Sequence, residues 1–306
     1  MRGDGAILVT GATGFLGRAV VAHLTRSGRT VRAAIRGPAD GSSRVQTFVV
    51  GDLTADTDWS TALEGVETVV HCAARAHVLK EQAADPLAVF RAVNCEATLS
   101  LARQAAAAGT RRLVFISSIG VNGAATLGRA FRHDDPPQPH SPYAISKFEA
   151  EQGLRSIEAE TGLQVVIIRP PLVMGPDPKG NLGTLNRLID KRLPLPFGLT
   201  TRNRRDLVSR ENLCRLIEAA IDHRAAAGQT FLVSDGTPIS TRTLLERLAL
   251  DRGRRLILLP VPPALLALAL KLAGKGAMAS QLFGDLEVDI GHTRDTLGWA
   301  PRQPGS

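Results

Sequence analysis

Short apolar runs alternate with longer stretches of helical period through the first half of the chain. The runs Ala6–Thr10, Thr30–Ile35, Val45–Val50, Thr68–His71, Arg112–Ser117 and Val165–Arg169 are four to six residues long and rich in Val, Ile and Ala. Most show little of the apolar-polar alternation expected of a strand with one wet face, so they read as strands of a parallel sheet buried on both sides. Helical patterns fall between them, near Phe15–Ser27, Trp59–Leu63, Val89–Ala108 and Tyr143–Thr161. Strand and helix in alternation predict an α/β fold with a doubly wound parallel sheet.

After Arg169 the pattern changes. Pro170, Pro171, Pro176, Pro178, Pro194 and Pro196 punctuate a stretch rich in glycine and leucine. It reads as an insertion building a smaller C-terminal α/β substrate lobe. A helix over Glu211–His223 and a strand over Gln229–Val233 are expected to return to the main sheet. The expected division is therefore 1–170 with 211–236 for the sheet domain, and 171–210 with 237–300 for the lobe. The most apolar late stretch, Leu256–Ala273, contains Pro260, Pro262, Pro263 and Lys271, and is too short and interrupted to span a bilayer. A helix starting at the proline pair and packing on the core is expected instead. The apolar run Ile7–Val9 is too short for a signal peptide, so a cytoplasmic protein is expected.

Composition narrows the function. Aromatics make up 4% of the 306 residues, and the formal net charge is +8. The arginines are dispersed, with short clusters at Arg202–Arg205 and Arg252–Arg255, and no basic run is interleaved with aromatics. That argues against nucleic acid and for an anionic cofactor and substrate. Cys72, Cys95 and Cys214 have neither metal-ligand spacing nor an even disulfide count, and the seven histidines form no paired-ligand motif. No metal is expected.

The first strand runs into Thr10-Gly11-Ala12-Thr13-Gly14-Phe15-Leu16-Gly17, with a helix directly after. Gly11 allows the tight turn, Gly14 the approach of backbone to a pyrophosphate, and Gly17 close packing of helix on strand. The helix start offers N–H groups and a positive dipole end to phosphates. This is the glycine fingerprint of a Rossmann-type dinucleotide site. The second strand ends in Arg36 with no carboxylate at its tip. Arg36, with Arg32 as a possible helper, suits the 2′-phosphate of NADP(H), which is preferred here over NAD. Asp52, in Gly51-Asp52-Leu53, is placed to accept from the adenine amino group or to cap the next turn.

Tyr143, the only tyrosine, stands four residues before Lys147 on a helix, so the two share a face. An ammonium and an oxidised nicotinamide nearby would lower the phenol pKa and let the tyrosine act as acid and base. Ser117-Ser118 ends a strand of the same sheet, where ligands of such folds bind.

With these motifs in hand, the chain resembles the extended short-chain dehydrogenases/reductases of the NAD(P)-dependent nucleotide-sugar epimerase/dehydratase family. The motifs include His71-Cys72-Ala73-Ala74, Val93-Asn94, Phe115–Gly123, Arg169-Pro170-Pro171 and Arg205-Asp206-Leu207-Val208. The resemblance implies that Ser118, Tyr143 and Lys147 are catalytic, with Ser118 rather than Ser117 the reactive serine. It implies a cofactor pocket of Gly11, Thr13, Gly14, Phe15, Leu16, Gly17, Arg36, Asp52, Leu53, Ala73, Ala74, Asn94, Ser117 and Pro170. Asn181 and Arg205 match positions that hold a UDP diphosphate. A homodimer through the two long helices near Val89–Ala108 and Tyr143–Thr161 is also implied.

The sequence is most similar to a bacterial surface-polysaccharide branch that holds 4-epimerases and 4-keto reductases of UDP-sugars. Asn122 and Met174 stand where the family often has tyrosine, which leaves the sugar open. Ile119-Gly120 replace the acidic pair that usually follows the serine in dehydratases, which argues against dehydration. The leading expectation is hydride transfer at C4 of a UDP-sugar, by epimerisation or by reduction. An NADPH-dependent reductase of a non-nucleotide carbonyl is the second reading, and a non-catalytic dinucleotide sensor the third.

Overall fold

The six apolar runs all form strands: β1 (Ala6–Thr10), β2 (Val31–Ile35), β3 (Gln46–Val49), β4 (Val66–His71), β5 (Arg112–Ile116) and β6 (Gln164–Arg169). Two short strands follow that the pattern did not reveal, β7 (Leu172–Met174) and β8 (Leu207–Ser209), and then the return strand β9 (Thr230–Leu232). These come from a computed structural model of the chain, which describes residues 5–38, 45–76, 85–178, 180–274 and 276–302.

The main sheet has seven strands in the order β3-β2-β1-β4-β5-β6-β9, every pair parallel. The chain winds outward from β1 in one direction, then crosses to β4 and winds in the other. The C-terminal ends of β1 and β4 therefore border the crevice where such sheets bind ligands.

Helices cover both faces: α1 (Phe15–Arg26), α2 (Ser60–Leu63), α3 (Pro86–Arg91), α4 (Ala97–Ala107), α5 (Pro142–Thr161) and α7 (Arg210–Asp222), with α6 (Gly180–Asp190) in the lobe. Alternate strand residues feed two separate cores. Ile7, Val9, Val70, Val114 and Val166 pack with α1 and α7; Leu8, Val69, Leu113, Phe115 and Val165 pack with α4 and α5. Below the sheet, Arg112 is buried and donates to the carbonyls of Ala220, Ile221 and His223 at 2.7–3.0 Å. A guanidinium there offsets the negative end of α7. Burial nevertheless lowers its pKa to about 10.

The helical stretch expected over 89–108 is not one regular helix. Between α3 and α4, residues Ala92–Glu96 form a π turn. One extra residue in the turn shifts the phase of the helix, and such turns often sit at functional sites. Here it brings Asn94 fully inside.

The lobe has its own core, in which Leu182 and Ile189 of α6 meet Leu195, Phe197, Leu207 and residues of α8 (Thr241–Asp251). Two further helices belong to it, α9 (Pro263–Leu272) and α10 (Gly276–Phe283). α9 begins at the proline pair as expected and lies against α10 with Pro263, Leu266, Ala267 and Leu270 half-buried, but none of its residues enters the core. Residues 286–299, grouped with the lobe from sequence, return to the sheet domain. Leu286, Val288, Ile290, Leu297 and Trp299 join the core beside β9, and Thr293 of α11 (Gly291–Leu297) donates to the Leu232 carbonyl at 2.6 Å.

Candidate active site

The glycine loop is shaped by contacts that no side chain could survive. Gly11 has φ +64°, and a Cβ there would lie 2.8 Å from the Ala73 backbone. A Cβ on Gly17 would stand 2.1 Å from the Gly11 carbonyl oxygen. Gly14 precedes α1 without any side-chain cap, so the first-turn N–H groups stay open to an acceptor. Thr13 is exposed at the mouth, while Phe15 and Leu16 are half-buried in the first turn. The Arg210 guanidinium lies 5.0 Å from the Phe15 ring centroid, holding the lobe side against the loop. Arg210 carries no sequence signal of this role, because the contact spans nearly 200 residues.

β1 and β4 are tied together at the crevice. Thr10 Oγ1 meets His71 Nδ1 at 2.7 Å, and His71 Nε2 meets Thr98 Oγ1 at 3.0 Å. Burial, helped by Lys147, lowers the His71 pKa to about 3, so the ring is a neutral brace. Ala73 donates its N–H to Thr10 Oγ1 at 3.3 Å, and Ala74 is exposed at the loop beyond.

Arg36 and Asp52 meet each other at the tips of the outer strands, Nε to Oδ1 at 3.1 Å, and both side chains are over 80% exposed (81% and 82%). Leu53 is half-buried against the core under α4 and α5. Arg32 does not join them. Its guanidinium donates to the Glu64 carbonyl and lies 5.5 Å from the Phe48 ring centroid. A cavity of about 530 Å³ adjoins the loop, bounded by Thr13, Arg18, Ala33, Ile35, Gly37 and Val45.

Tyr143 and Lys147 lie on the first two turns of α5, which Ser141 caps by accepting from Ala144 N at 3.2 Å. Tyr143 is half-buried against the edge of Phe90, ring centroids 6.1 Å apart, and desolvation pushes its phenol up to about 12. Lys147 is fully buried, its Nζ 3.8 Å from the Phe115 ring centroid and without a hydrogen-bond partner among the described residues. Desolvation brings it down to about 7, against the pull of Glu151. An orphaned buried ammonium beside a glycine cradle fits a dinucleotide, whose ribose hydroxyls would give Lys147 its acceptors.

Ser118 sits where β5 ends, and its Oγ accepts from Gly120 N at 3.1 Å as the chain turns through Ile119–Val121. The Pro170 carbonyl at the end of β6 receives Ile119 N at 3.0 Å, fixing this turn. The hydroxyl of Ser117 points the other way and donates to Glu151 Oε1 at 2.5 Å. The Ser117 side chain is buried. Asn94 is buried as well. Its amide closes on the Arg75 backbone, accepting at 2.7 Å and donating at 3.1 Å, and donates to Ser146 Oγ at 3.1 Å. It holds the loop after β4 in place.

Beneath Ser118, Tyr143 and Lys147 lies a network the motifs did not reveal. Glu151 takes Arg169 Nε at 3.0 Å and Nη2 at 2.5 Å, and Arg169 Nη1 donates to Asn122 Oδ1 at 3.0 Å. It joins α5 to the ends of β5 and β6. Glu151 stands four residues after Lys147, the one signal that could have pointed to it. Arg205 is half-buried, donates to the Gly284 carbonyl at 3.0 Å, and does not pair with Asp206, whose carboxylate accepts from Val288 N at 2.8 Å. Asn181 falls in the first turn of α6, and its side chain lies outside the described residues.

The chain is similar to known proteins in sequence and in fold. Residues 7–234 match the NAD dependent epimerase/dehydratase family. The chain is 45% identical over 300 residues to a UDP-glucose 4-epimerase of Vibrio cholerae, covering 97% of this chain and 91% of the relative. A short-chain dehydrogenase/reductase superfamily protein from Agrobacterium tumefaciens, solved with bound NAD, superposes with a TM-score of 0.74 at 26% identity, covering 97% of this chain and 93% of the other. MoeE5, solved with UDP-glucose and NAD, superposes with a TM-score of 0.75 at 25% identity, covering 98% and 95%. The chain is an extended short-chain dehydrogenase/reductase of the nucleotide-sugar type and belongs to the NAD dependent epimerase/dehydratase family.

Proposed function

We propose that the protein interconverts C4 epimers of a UDP-sugar. The observation that carries this is the buried, partnerless Lys147 one turn from Tyr143, facing Phe115 at the crevice end of the sheet. The 45% identity to a UDP-glucose 4-epimerase over nearly the whole chain supports the same reading. A bound nicotinamide supplies reversible uptake of the C4 hydride. Tyr143 takes the O4 proton as that hydride leaves, giving a 4-keto sugar, and returns the proton when hydride comes back to the opposite face. Ser118 donates to O4 and steadies the charge that develops there. Lys147, charged once it has acceptors, lowers the phenol pKa that burial raises. Arg205 and Asn181 serve the diphosphate in this reading.

Reduction of a 4-keto sugar by NADPH is the second reading, favoured by Arg36 at the tip of β2. Because Arg36 already pairs with Asp52, an exposed contact worth ~0–1 kcal/mol, the NADP(H) preference is expected to be only a few-fold. Arg36→Ala should level the affinities for NADP⁺ and NAD⁺, measured by fluorescence titration; an unchanged ratio removes the preference. A carbonyl reductase without a nucleotide is the weaker alternative. Dihydroflavonol 4-reductase of Zea mays, 31% identical, covers only 56% of this chain. The same proposal includes a cytoplasmic homodimer through α4 and α5 and a place in surface-polysaccharide synthesis.

The test is incubation with UDP-hexoses and UDP-N-acetylhexosamines, reading product epimer by chromatography and nicotinamide absorbance together. Epimer formed with catalytic NAD supports epimerisation. Stoichiometric NADPH loss supports reduction. Neither, with dinucleotide binding intact, leaves the sensor.

A further inference from the structure

α9 reads Pro-Ala-Leu-Leu-Ala-Leu-Ala-Leu-Lys-Leu, and not one of its ten residues is buried. Leu265, Leu268 and Leu272 recur at helical spacing on one flank and are 59%, 55% and 81% exposed. The flank continues into the chain before it. Residues 257–259 pair with 195–198 through backbone bonds of 2.8–3.0 Å, and this ladder carries Ile257, Leu259, Leu193 and Leu199, all exposed. In the sheet domain only Val49 and Leu127 are comparably exposed among the large apolar side chains described.

The rim of this surface is cationic. Residues 247–274 hold Arg247, Arg252, Arg254, Arg255 and Lys271 against one acid, Asp251. Arg252 and Arg254 share Asp190, whereas Arg247, Arg255, Lys271 and the neighbouring Lys191 and Arg192 have no ion pair among the described residues.

We propose that α9 and the adjoining ladder form a peripheral docking surface for an anionic lipid bilayer, with the helix lying in the interface plane. Leucine exposed to water is returned to an apolar phase, and the basic rim meets anionic headgroups; interfacial helices bind through this pair of contributions. Spanning is ruled out for this helix by its length of ten residues. A second copy docked here would set one cationic rim against another. Pro263, Leu266, Ala267 and Leu270 of α9 are half-buried, so the flank carrying Leu265, Leu268 and Leu272 is the one turned to the bilayer. The surface lies on the lobe, apart from the helices α4 and α5 assigned to the homodimer.

The experiment is co-sedimentation of the full chain with vesicles of phosphatidylglycerol and phosphatidylethanolamine, and with vesicles of phosphatidylcholine alone. The phosphatidylglycerol vesicles should bind at least about tenfold more tightly, and the excess should fall in high salt. Leu265→Gln with Leu268→Gln and Leu272→Gln should abolish binding while the circular dichroism and dinucleotide affinity stay unchanged. Lys271→Glu should weaken it. Absence of binding by wild type at low salt overturns the proposal, as does full binding by the triple variant. A triple variant that halves the solution mass of a wild type indifferent to vesicles makes a second copy the occupant and also overturns it.

Discussion

The sheet domain and the lobe treat apolar surface in opposite ways. In the sheet domain nearly every large aliphatic side chain is enclosed, and apart from Lys147 the buried charges are paired or capped, as in Glu151–Arg169 and Arg112. In the lobe a small core coexists with a leucine-rich helix that keeps Leu265, Leu268 and Leu272 in water. The contrast follows from the tasks proposed for each. Proton and hydride transfer need atoms fixed to fractions of an ångström, so the groups around Tyr143 and Lys147 are set in a close-packed frame. A lobe that receives a sugar and meets a second surface needs less rigidity and more available area.

Substitutions can break this contrast, beginning with the strongest. Glu151→Gln leaves Arg169 buried without its counter-charge and should cost about 3–5 kcal/mol of stability in urea unfolding. A loss under about 1 kcal/mol would show that the network is wetter than its burial suggests. Leu154→Ala, in the core under α5, should cost about 2–5 kcal/mol. Leu268→Ala on α9 should stay within about 0.5 kcal/mol, since it opens no cavity. Equal costs at the two leucines would erase the distinction between the regions.

Acidity sharpens it further. Lys147 has a folded pKa lowered to about 7 from 10.5, so burying it as a cation penalises the cofactor-free protein fully below about pH 7. Between pH 7 and 9 the unfolded chain binds more protons at this site than the folded one, and stability should rise with pH. Lys147→Met should flatten that rise in thermal melts without dinucleotide. A rise of the same size in the variant would assign it to another group.

The strands of the sheet domain were legible because each holds a short, mostly apolar run set between helical patterns, and the glycine loop because its residues sit between strand and helix. The proposed proton-transfer residues stood out for the same local reason, Ser118 following β5 and Tyr143 and Lys147 lying one turn apart on α5. What escaped was long-range or out of phase. The π turn at Ala92–Glu96 inserts one residue without altering composition, so Asn94 turned out to clasp the Arg75 backbone. Ser117 and Ser118 are adjacent, and only the placement of Glu151 determines that one hydroxyl points inward. β7 and β8 are three residues each and pair across more than 30 positions, below what a periodic pattern can display. α9 is less enclosed than its apolarity predicts, with only Pro263, Leu266, Ala267 and Leu270 half-buried, because apolarity alone does not say how much of a helix its neighbours cover.

Tyr143→Phe tests the central claim most directly, because it removes one oxygen and leaves the ring against Phe90. Turnover with the best UDP-sugar should fall by about 10²–10⁴-fold, the usual contribution of a general acid-base, while dinucleotide affinity and melting temperature stay nearly unchanged. Turnover within a few-fold of wild type would contradict the assignment of the proton to Tyr143.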